Sequence, residues 1–182
     1  MARLVIDGFG QLELNNAAFR RDGRVEAQCK LDPVGFASVP AENGMLLAVD
    51  KVNGIVKLPV ANETLPIAIN YSAEHIYDER TPGLKNFRLT VNDFYPRMGY
   101  LAVGDLFTTN CISYDTSEYA NEEALKTAIA AVKTTKVYGT YSTDGSIMVT
   151  ATKPQAGLTL EVVKPFTMPD GQYAIQFRVL VA

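Results

Sequence analysis

Met45-Leu46-Leu47-Ala48-Val49 is followed by Asp50-Lys51-Val52-Asn53-Gly54 and then by Ile55-Val56-Lys57-Leu58-Pro59. Two short apolar runs separated by turn residues predict a β-hairpin. Proline closes the second run, because it has no N–H to donate to a strand ladder. The same strand–turn–strand pattern recurs along most of the 182 residues, so we expect β-structure to dominate the fold.

Other segments show the alternation that is typical of strands. Residues 24–31 alternate polar and apolar side chains, from Arg24 and Val25 to Lys30 and Leu31. Successive side chains of a strand point to opposite faces, so this pattern predicts a half-buried strand. We also predict hairpins over residues 137–152 and 158–181, and short strands at 86–91, 99–103 and 106–114.

One helix is predicted, over residues 120–134. Asn121 can accept from the free amides of the first turn, and Glu122 and Glu123 lie at the positive end of the helix dipole. An apolar stripe at helical spacing indicates the face that packs on a sheet: Leu125, Ala128, Ile129 and Val132. The predicted fold class is therefore α+β and β-dominated, with antiparallel sheets or hairpins in a sandwich- or barrel-like arrangement.

Length and charge set further limits. Residues 1–20 are predicted to form either an N-terminal arm or the first hairpin, and residues 21–182 a single β-rich domain. A change in composition near residue 115 marks where two lobes would divide. The net charge of −3 provides no basic field for phosphate groups, so we expect no nucleic-acid partner. No apolar run has the length of a membrane span, so we expect no membrane partner either.

The residue types that chemistry requires are scarce. The chain has one histidine, His75, and its two cysteines, Cys29 and Cys111, lack metal-binding spacing, so we expect no metal or cofactor and reduced thiols. A Cys111/His75 nucleophilic pair is a remote alternative. Paired carboxylates are another, but no spacing singles out a pair among the candidates Asp78, Glu79, Asp105 and Asp115. The expectation is that the protein is not an enzyme.

Tyrosines are concentrated in the middle third of the chain. Tyrosine combines a large contact area with a polar tip, which suits a protein interface. Basic residues are interspersed with them, so residues 71–100 are predicted to contact a partner. The candidates in this stretch are Tyr71, Tyr77, Arg80, Tyr95, Arg97 and Tyr100. The alternative is that half or more of the tyrosines pack in the domain's own core.

Three stretches carry a family resemblance: Val5-Ile6-Asp7-Gly8-Phe9-Gly10, Glu42-Asn43-Gly44-Met45-Leu46-Leu47, and the run from Tyr71-Ser72-Ala73-Glu74 to Asn86-Phe87. Together they resemble small structural proteins of tailed bacteriophages that infect Gram-positive bacteria, of the kind encoded beside the major capsid protein. Such neighbours are often decoration (cement) proteins. The resemblance implies no catalytic residues.

The resemblance implies a compact body with an arm or loop that grips the capsid. Residues 1–20 would supply that arm, and Leu4, Ile6, Phe9 and Leu12 would be its contact residues. An exposed strand edge can add to a neighbour's sheet through backbone hydrogen bonds. It is equally consistent with the sequence that residues 3–14 form an ordinary first hairpin.

We therefore expect a virion structural protein that is made in the host cytoplasm and binds the outer capsid surface. Its partners would be the major capsid protein and further copies of itself, as a homo-oligomer or as lattice neighbours. A second possibility is a module of the tail or baseplate, or one that binds host-surface glycans. A third is a small hydrolase that uses carboxylates.

Overall fold

The computed structural model describes residues 1–72 and 84–182, and it is β-dominated as predicted. In chain order the strands are β1 (Ala2–Arg3), β2 (Leu12–Glu13), β3 (Val25–Glu26), β4 (Lys30–Leu31), β5 (Leu46–Asp50), β6 (Ile55–Lys57), β7 (Ile67–Asn70), β8 (Met98–Gly99), β9 (Leu106–Thr109), β10 (Ile112–Tyr114), β11 (Tyr138–Tyr141), β12 (Ile147–Thr150), β13 (Thr159–Thr167) and β14 (Tyr173–Val181). One α-helix, α1 (Glu122–Ala130), and a 3-10 turn at Leu84–Asn86 complete the described elements.

The larger sheet has eight strands in the order β1-β10-β12-β11-β13-β14-β9-β2. Strands β9 and β10 lie towards opposite sides of this order, yet only Asn110 and Cys111 separate them in the chain. The sheet must therefore curl until its two sides meet along the continuous stretch from β9 to β10, which we call the β9–β10 run. Phe107 and Phe177 pack inside the curl, with ring centroids 5.7 Å apart and no exposed surface.

The smaller sheet has six strands in the order β3-β8-β7-β5-β6-β4. The hairpin predicted over residues 45–59 is present, since β5 and β6 pair antiparallel with Asp50 opposite Ile55. Every residue of β5 is buried, and its two faces enter different cores: Leu46 packs in the core of the larger sheet, Leu47 and Val49 in that of the smaller sheet. This strand therefore joins the two sheets.

Both sheets are mixed, although the sequence analysis predicts antiparallel pairing. β10 pairs parallel to β12, and β4 pairs parallel to β6. Parallel neighbours need a crossover connection, which local turn signals cannot reveal. Here α1 and β11 lie between β10 and β12 in the chain, and β5 lies between β4 and β6.

The helix is confirmed but is shorter than predicted. The side chain of Asn121 accepts from the N–H of Ala124 at 2.9 Å, which is the expected cap, and Leu125 and Ile129 are fully buried. Regular helix ends at Ala130 and gives way to turns over residues 131–134. β-branched residues such as Val132 and Thr134 lower helix propensity there.

Residues 1–14, which we call the N-terminal segment, lie alongside the β9–β10 run. β1 pairs with β10 and β2 pairs with β9, with Ala2 opposite Tyr114 and Leu12 opposite Thr109. The two strands pair with β10 and β9 and not with each other, so the segment is not a hairpin.

The boundary between the two sheets lies earlier in the chain than the composition change near residue 115. All described strands of the smaller sheet fall within residues 25–99, and the chain enters the larger sheet at Leu106, the first residue of β9.

Two glycines allow three parts of the chain to approach one another closely: the N-terminal segment, the connection from β4 to β5, and β9. Gly44 has φ +85°, and a Cβ at this position would lie 2.2 Å from Oγ1 of Thr109. A Cβ at Gly10 would lie 2.7 Å from the carbonyl oxygen of Asn43 and 2.9 Å from Cβ of Cys111. No side chain fits at either position unless the neighbouring chain moves.

Replacing Gly44 by alanine should destabilise the protein more than the same change at Gly23. Gly23 also has a positive φ, +70°, but its Cβ position is open. We expect Gly23→Ala to cost about 1–2 kcal/mol for the left-handed backbone alone. Gly44→Ala adds overpacking of about 1–3 kcal/mol. Urea unfolding of both variants measures the difference, and equal losses would contradict the close approach described here.

Candidate partner-contact surface

The N-terminal candidates mostly support the protein's own core. Leu4 is buried with 3% exposure, and Ile6 and Leu12 pack against the core of the larger sheet. Phe9 is half-buried, and the guanidinium of Arg88 lies 5.2 Å from the centre of its ring. The segment offers a partner little apolar side-chain surface beyond Met1 and Val5, which are 56% and 84% exposed.

The middle-third candidates differ in exposure. Tyr71 is 7% exposed and packs against Phe19 with ring centroids 4.9 Å apart. Tyr100 is half-buried, and Nζ of Lys51 lies 5.4 Å from the centre of its ring. Arg97 is half-buried, and its backbone carbonyl oxygen accepts a hydrogen bond from the N–H of Tyr71. Tyr95 is 44% exposed. Tyr77 and Arg80 lie outside the described residues.

Tyr95 belongs to an exposed apolar cluster in a turn that we call the 90–95 loop. Its members are Val91 at 37% exposure, Phe94 at 57% and Tyr95. Asp93 fixes the loop, because its carboxylate accepts from the backbone N–H and the hydroxyl of Thr90 at 2.6 and 2.8 Å. These bonds hold the pKa of Asp93 below its ordinary value. The apolar side chains are thus presented on a turn with its own hydrogen bonds.

A groove of about 200 Å³ separates the 90–95 loop from the edge strand β4. We call it the β4 groove, and its lining consists of Lys30, Leu31, Thr90, Val91, Asp93, Phe94 and Tyr95. Nζ of Lys30 lies 5.8 Å from the centre of the Tyr95 ring, so a cation and an aromatic face meet across the groove. Among the described strands β4 pairs only with β6, so it is the last strand in the order of the smaller sheet.

The sequence analysis finds Tyr95 but misses Val91, Phe94 and the β4 residues. One signal is available in retrospect: Phe94 and Tyr95 directly precede Pro96, and a residue before proline is pushed out of helical geometry. Two adjacent aromatics in a proline-bounded turn cannot both face the core easily. Nothing in the sequence places β4 beside this turn, because about sixty residues separate them.

Neither cysteine is arranged for chemistry. Both thiols are free and buried, as expected of reduced cysteines in a core. Burial raises the pKa of Cys111 to about 12, although Arg3 opposes the shift. Burial also raises the pKa of Cys29, and the carboxylate of Glu26 acts in the same direction. His75, the other half of the Cys111/His75 alternative, lies outside the described residues.

Four acids are candidates for hydrolysis, and two of them, Asp105 and Asp115, lie in the described part of the chain. Both carboxylates accept hydrogen bonds from backbone N–H groups. Asp105 is buried and accepts from the N–H groups of Ala18 and Ala102 at 3.2 and 2.9 Å. Asp115 accepts from the N–H of Ser117 at 2.8 Å, which lowers its pKa. A general acid needs a raised pKa instead. Asp78 and Glu79 lie outside the described residues, and no metal-binding cluster of acids, histidines and cysteines occurs in residues 1–72 and 84–182.

An ion pair between Arg3 and the buried carboxylate of Glu42, which the sequence analysis does not foresee, anchors the N-terminal segment. Arg3 donates to both carboxylate oxygens of Glu42, at 3.0 and 2.5 Å, and Glu42 is 5% exposed. Glu42 also accepts from the N–H of Gly10 at 2.6 Å. Further along the segment, Asp7 pairs with Lys85, and the amide of Gln11 donates to Asp170 at 2.7 Å.

Comparisons of the chain with protein-family models, with curated proteins and with solved structures found no match. Within the described ranges, no helix has both the length and the apolar character that crossing a bilayer requires. The function must therefore be argued from the chain's own residues.

Both thiols should resist modification in the folded protein. At pH 8 a thiol with a raised pKa is almost entirely protonated, and only the thiolate reacts. We expect no reaction of Cys29 or Cys111 with a disulfide reagent such as 5,5′-dithiobis(2-nitrobenzoic acid) in native buffer, and two equivalents in urea. Rapid reaction of one thiol under native conditions would contradict the burial described.

Removing Arg3 should destabilise the fold, because it leaves the Glu42 carboxylate buried without its cation. We expect Arg3→Ala to cost about 1–3 kcal/mol, at the lower end because the arginine side chain is partly exposed. Lys136→Ala is the control, since Glu161 keeps Arg178 as a partner. Adding Glu42→Gln to Arg3→Ala should recover part of the loss in urea unfolding, and additive losses would show that the pair is not coupled.

Proposed function

We propose that this protein is a virion structural protein of a tailed bacteriophage, which binds the outer surface of the capsid and stabilises the shell. The exposed apolar cluster of the 90–95 loop is the observation that carries the proposal. It lies within residues 71–100, where the sequence predicts partner contact. The choice of a capsid as the partner rests on the resemblance to proteins encoded beside the major capsid protein.

The cluster has the composition of a binding hot spot. Phe94 and Tyr95 are both about half-exposed, and aromatic side chains bring large contact area at low entropic cost. Burying the exposed part of such a ring, on the order of 100 Å², contributes about 2–3 kcal/mol at roughly 25 cal/mol per Å². The hydrogen-bonded turn at Thr90 and Asp93 orders the loop before binding, so less entropy is lost on contact.

A lattice makes modest contacts sufficient. One cluster of three side chains is too small for a tight one-to-one complex. On a shell, neighbouring copies and neighbouring capsomers hold each contact at a high effective concentration, and the bound array is then stable although each site is weak. Stabilisation of the shell follows from mass action, because the protein would bind assembled capsomers and not separated ones.

The test uses capsids that lack the protein. Adding the purified protein should raise the temperature at which these capsids disassemble. Phe94→Ala should weaken binding about tenfold or more, as expected for loss of at least about 1.4 kcal/mol at a hot spot. Val52→Ala is the matched control, because Val52 is 95% exposed in the turn between β5 and β6 and should leave binding unchanged.

Two outcomes would reject the proposal. If the wild-type protein neither binds capsids nor changes their disassembly temperature, the capsid role fails. If binding occurs but Phe94→Ala and Val52→Ala behave alike, the 90–95 loop is not the contact surface. Specific capture of a saccharide on a glycan array, without capsid binding, would favour a host-surface binding module instead.

A further inference from the structure

The β4 groove contains a lysine whose charge has no carboxylate partner in the described part of the chain. The ammonium of Lys30 lies beside the Tyr95 ring, with Nζ 5.8 Å from the ring centre, and it makes no ion pair within residues 1–72 and 84–182. Other lysines do pair with a carboxylate, namely Lys51, Lys85, Lys126 and Lys136. The charge of Lys30 is therefore available to a partner.

This ammonium is also held in position before any partner arrives. Lys30 is anchored at the backbone, because its N–H donates to the carbonyl oxygen of Gly54 at 2.9 Å. At the other end of the side chain, an ammonium within about 6 Å of an aromatic ring centre is attracted to the ring face. Both contacts restrict the rotamers of the lysine, so less entropy is lost when the ammonium binds a further group.

The size of the groove limits what can enter it. Its volume of about 200 Å³ is small, since clefts that hold small-molecule ligands have roughly 300–1,000 Å³. The 90–95 loop bounds the groove opposite β4, and Leu31 in its lining is only 5% exposed, so a further strand cannot reach the β4 backbone. One side chain that projects from a partner's surface fits this space.

The walls of the groove select that side chain by its charge. Val91 and Phe94 provide apolar surface, and Lys30 provides a positive charge. The acid in the lining, Asp93, already accepts from the N–H and the hydroxyl of Thr90. A cationic side chain would meet the like charge of Lys30, and a wholly apolar one would cover the ammonium without offering it an acceptor. A carboxylate on a methylene stem satisfies both the ammonium and the apolar walls.

We propose that the β4 groove receives a glutamate side chain of the partner, with its carboxylate on Nζ of Lys30 and its methylene groups against Phe94. Glutamate is favoured over aspartate because its second methylene group buries additional apolar surface. Lys30 then sets the specificity of the contact, while the apolar cluster of the 90–95 loop supplies its area. The inference rests on the proposed function, because it names the group on the capsid surface that the same site recognises.

A titration without capsids tests the groove itself. The probe is N-acetyl-glutamate methylamide, added at constant ionic strength to ¹⁵N-labelled protein while the backbone amide shifts are followed. The shifts should centre on Lys30, Phe94 and Tyr95, with a Kd on the order of 10–100 mM for a single side chain. N-acetyl-glutamine methylamide has nearly the same shape without the charge and should leave these amides unshifted. Lys30→Met should abolish the response to the glutamate probe.

Variants of Lys30 test the same contact on capsids. Lys30→Met keeps an unbranched stem without the charge and should weaken binding about tenfold, whereas Lys30→Arg should keep most of it. Lys164→Met is the matched control, since Lys164 is exposed and lies 5.7 Å from the ring of Phe166 but outside the β4 groove. Raising salt from about 0.05 M to about 1 M should weaken the wild type more than Lys30→Met. Circular dichroism confirms that each variant is folded.

The outcomes separate this inference from the proposed function. The inference is overturned if the glutamate probe shifts none of the groove amides, if the two probes act alike, or if Lys30→Met binds capsids like the wild type. Capsid binding that is lost in Phe94→Ala but unchanged in Lys30→Met would keep the proposed function and reject the glutamate contact. Binding of the glutamate probe by a protein that ignores capsids would reject the capsid role and keep the carboxylate site.

Discussion

The hydrogen bonds to the buried carboxylate of Glu42 hold the N-terminal segment, which pairs with the larger sheet, against the chain that leads into the smaller sheet. Glu42 lies in the connection that leads into β5, and it binds the side chain of Arg3 and the backbone N–H of Gly10. A buried carboxylate is costly unless it is fully paired, so these donors must stay in place when the protein is folded. Sγ of Cys111, at the bend between β9 and β10, lies 3.6 Å from the same guanidinium. The N-terminal segment, the smaller sheet and the curl of the larger sheet therefore meet at one ion pair. Gly10 and Gly44 belong to the same constraint, because only residues without a side chain permit this approach.

The features that can be predicted from the sequence are those whose causes are local. The hairpin at residues 45–59 is determined by two apolar runs and a turn, and the start of the helix by the side chain of Asn121. The pairing of Ala2 with Tyr114, and of β4 with β6 in the parallel sense, depends on contacts between residues far apart in the chain. No periodicity carries that information. The N-terminal segment illustrates the difference: its apolar residues Leu4, Ile6, Phe9 and Leu12 are consistent with either an arm or a hairpin. The pairing of β1 with β10 and of β2 with β9, together with the Arg3–Glu42 ion pair, places the segment along the β9–β10 run.

Exposure of the candidate residues is equally hard to infer from residue type. Tyr71 and Tyr95 are both tyrosines in the same polar, loop-rich stretch, yet Tyr71 is buried against Phe19 and Tyr95 is 44% exposed. Tyr71 directly follows β7, a buried central strand, and continues its path into the core. Tyr95 lies in a turn whose bonds are made between Thr90 and Asp93, and its ring faces Nζ of Lys30 across the β4 groove. The β4 groove could not be predicted at all, since it depends on sheet order, and sheet order is the least local property of a β-rich fold.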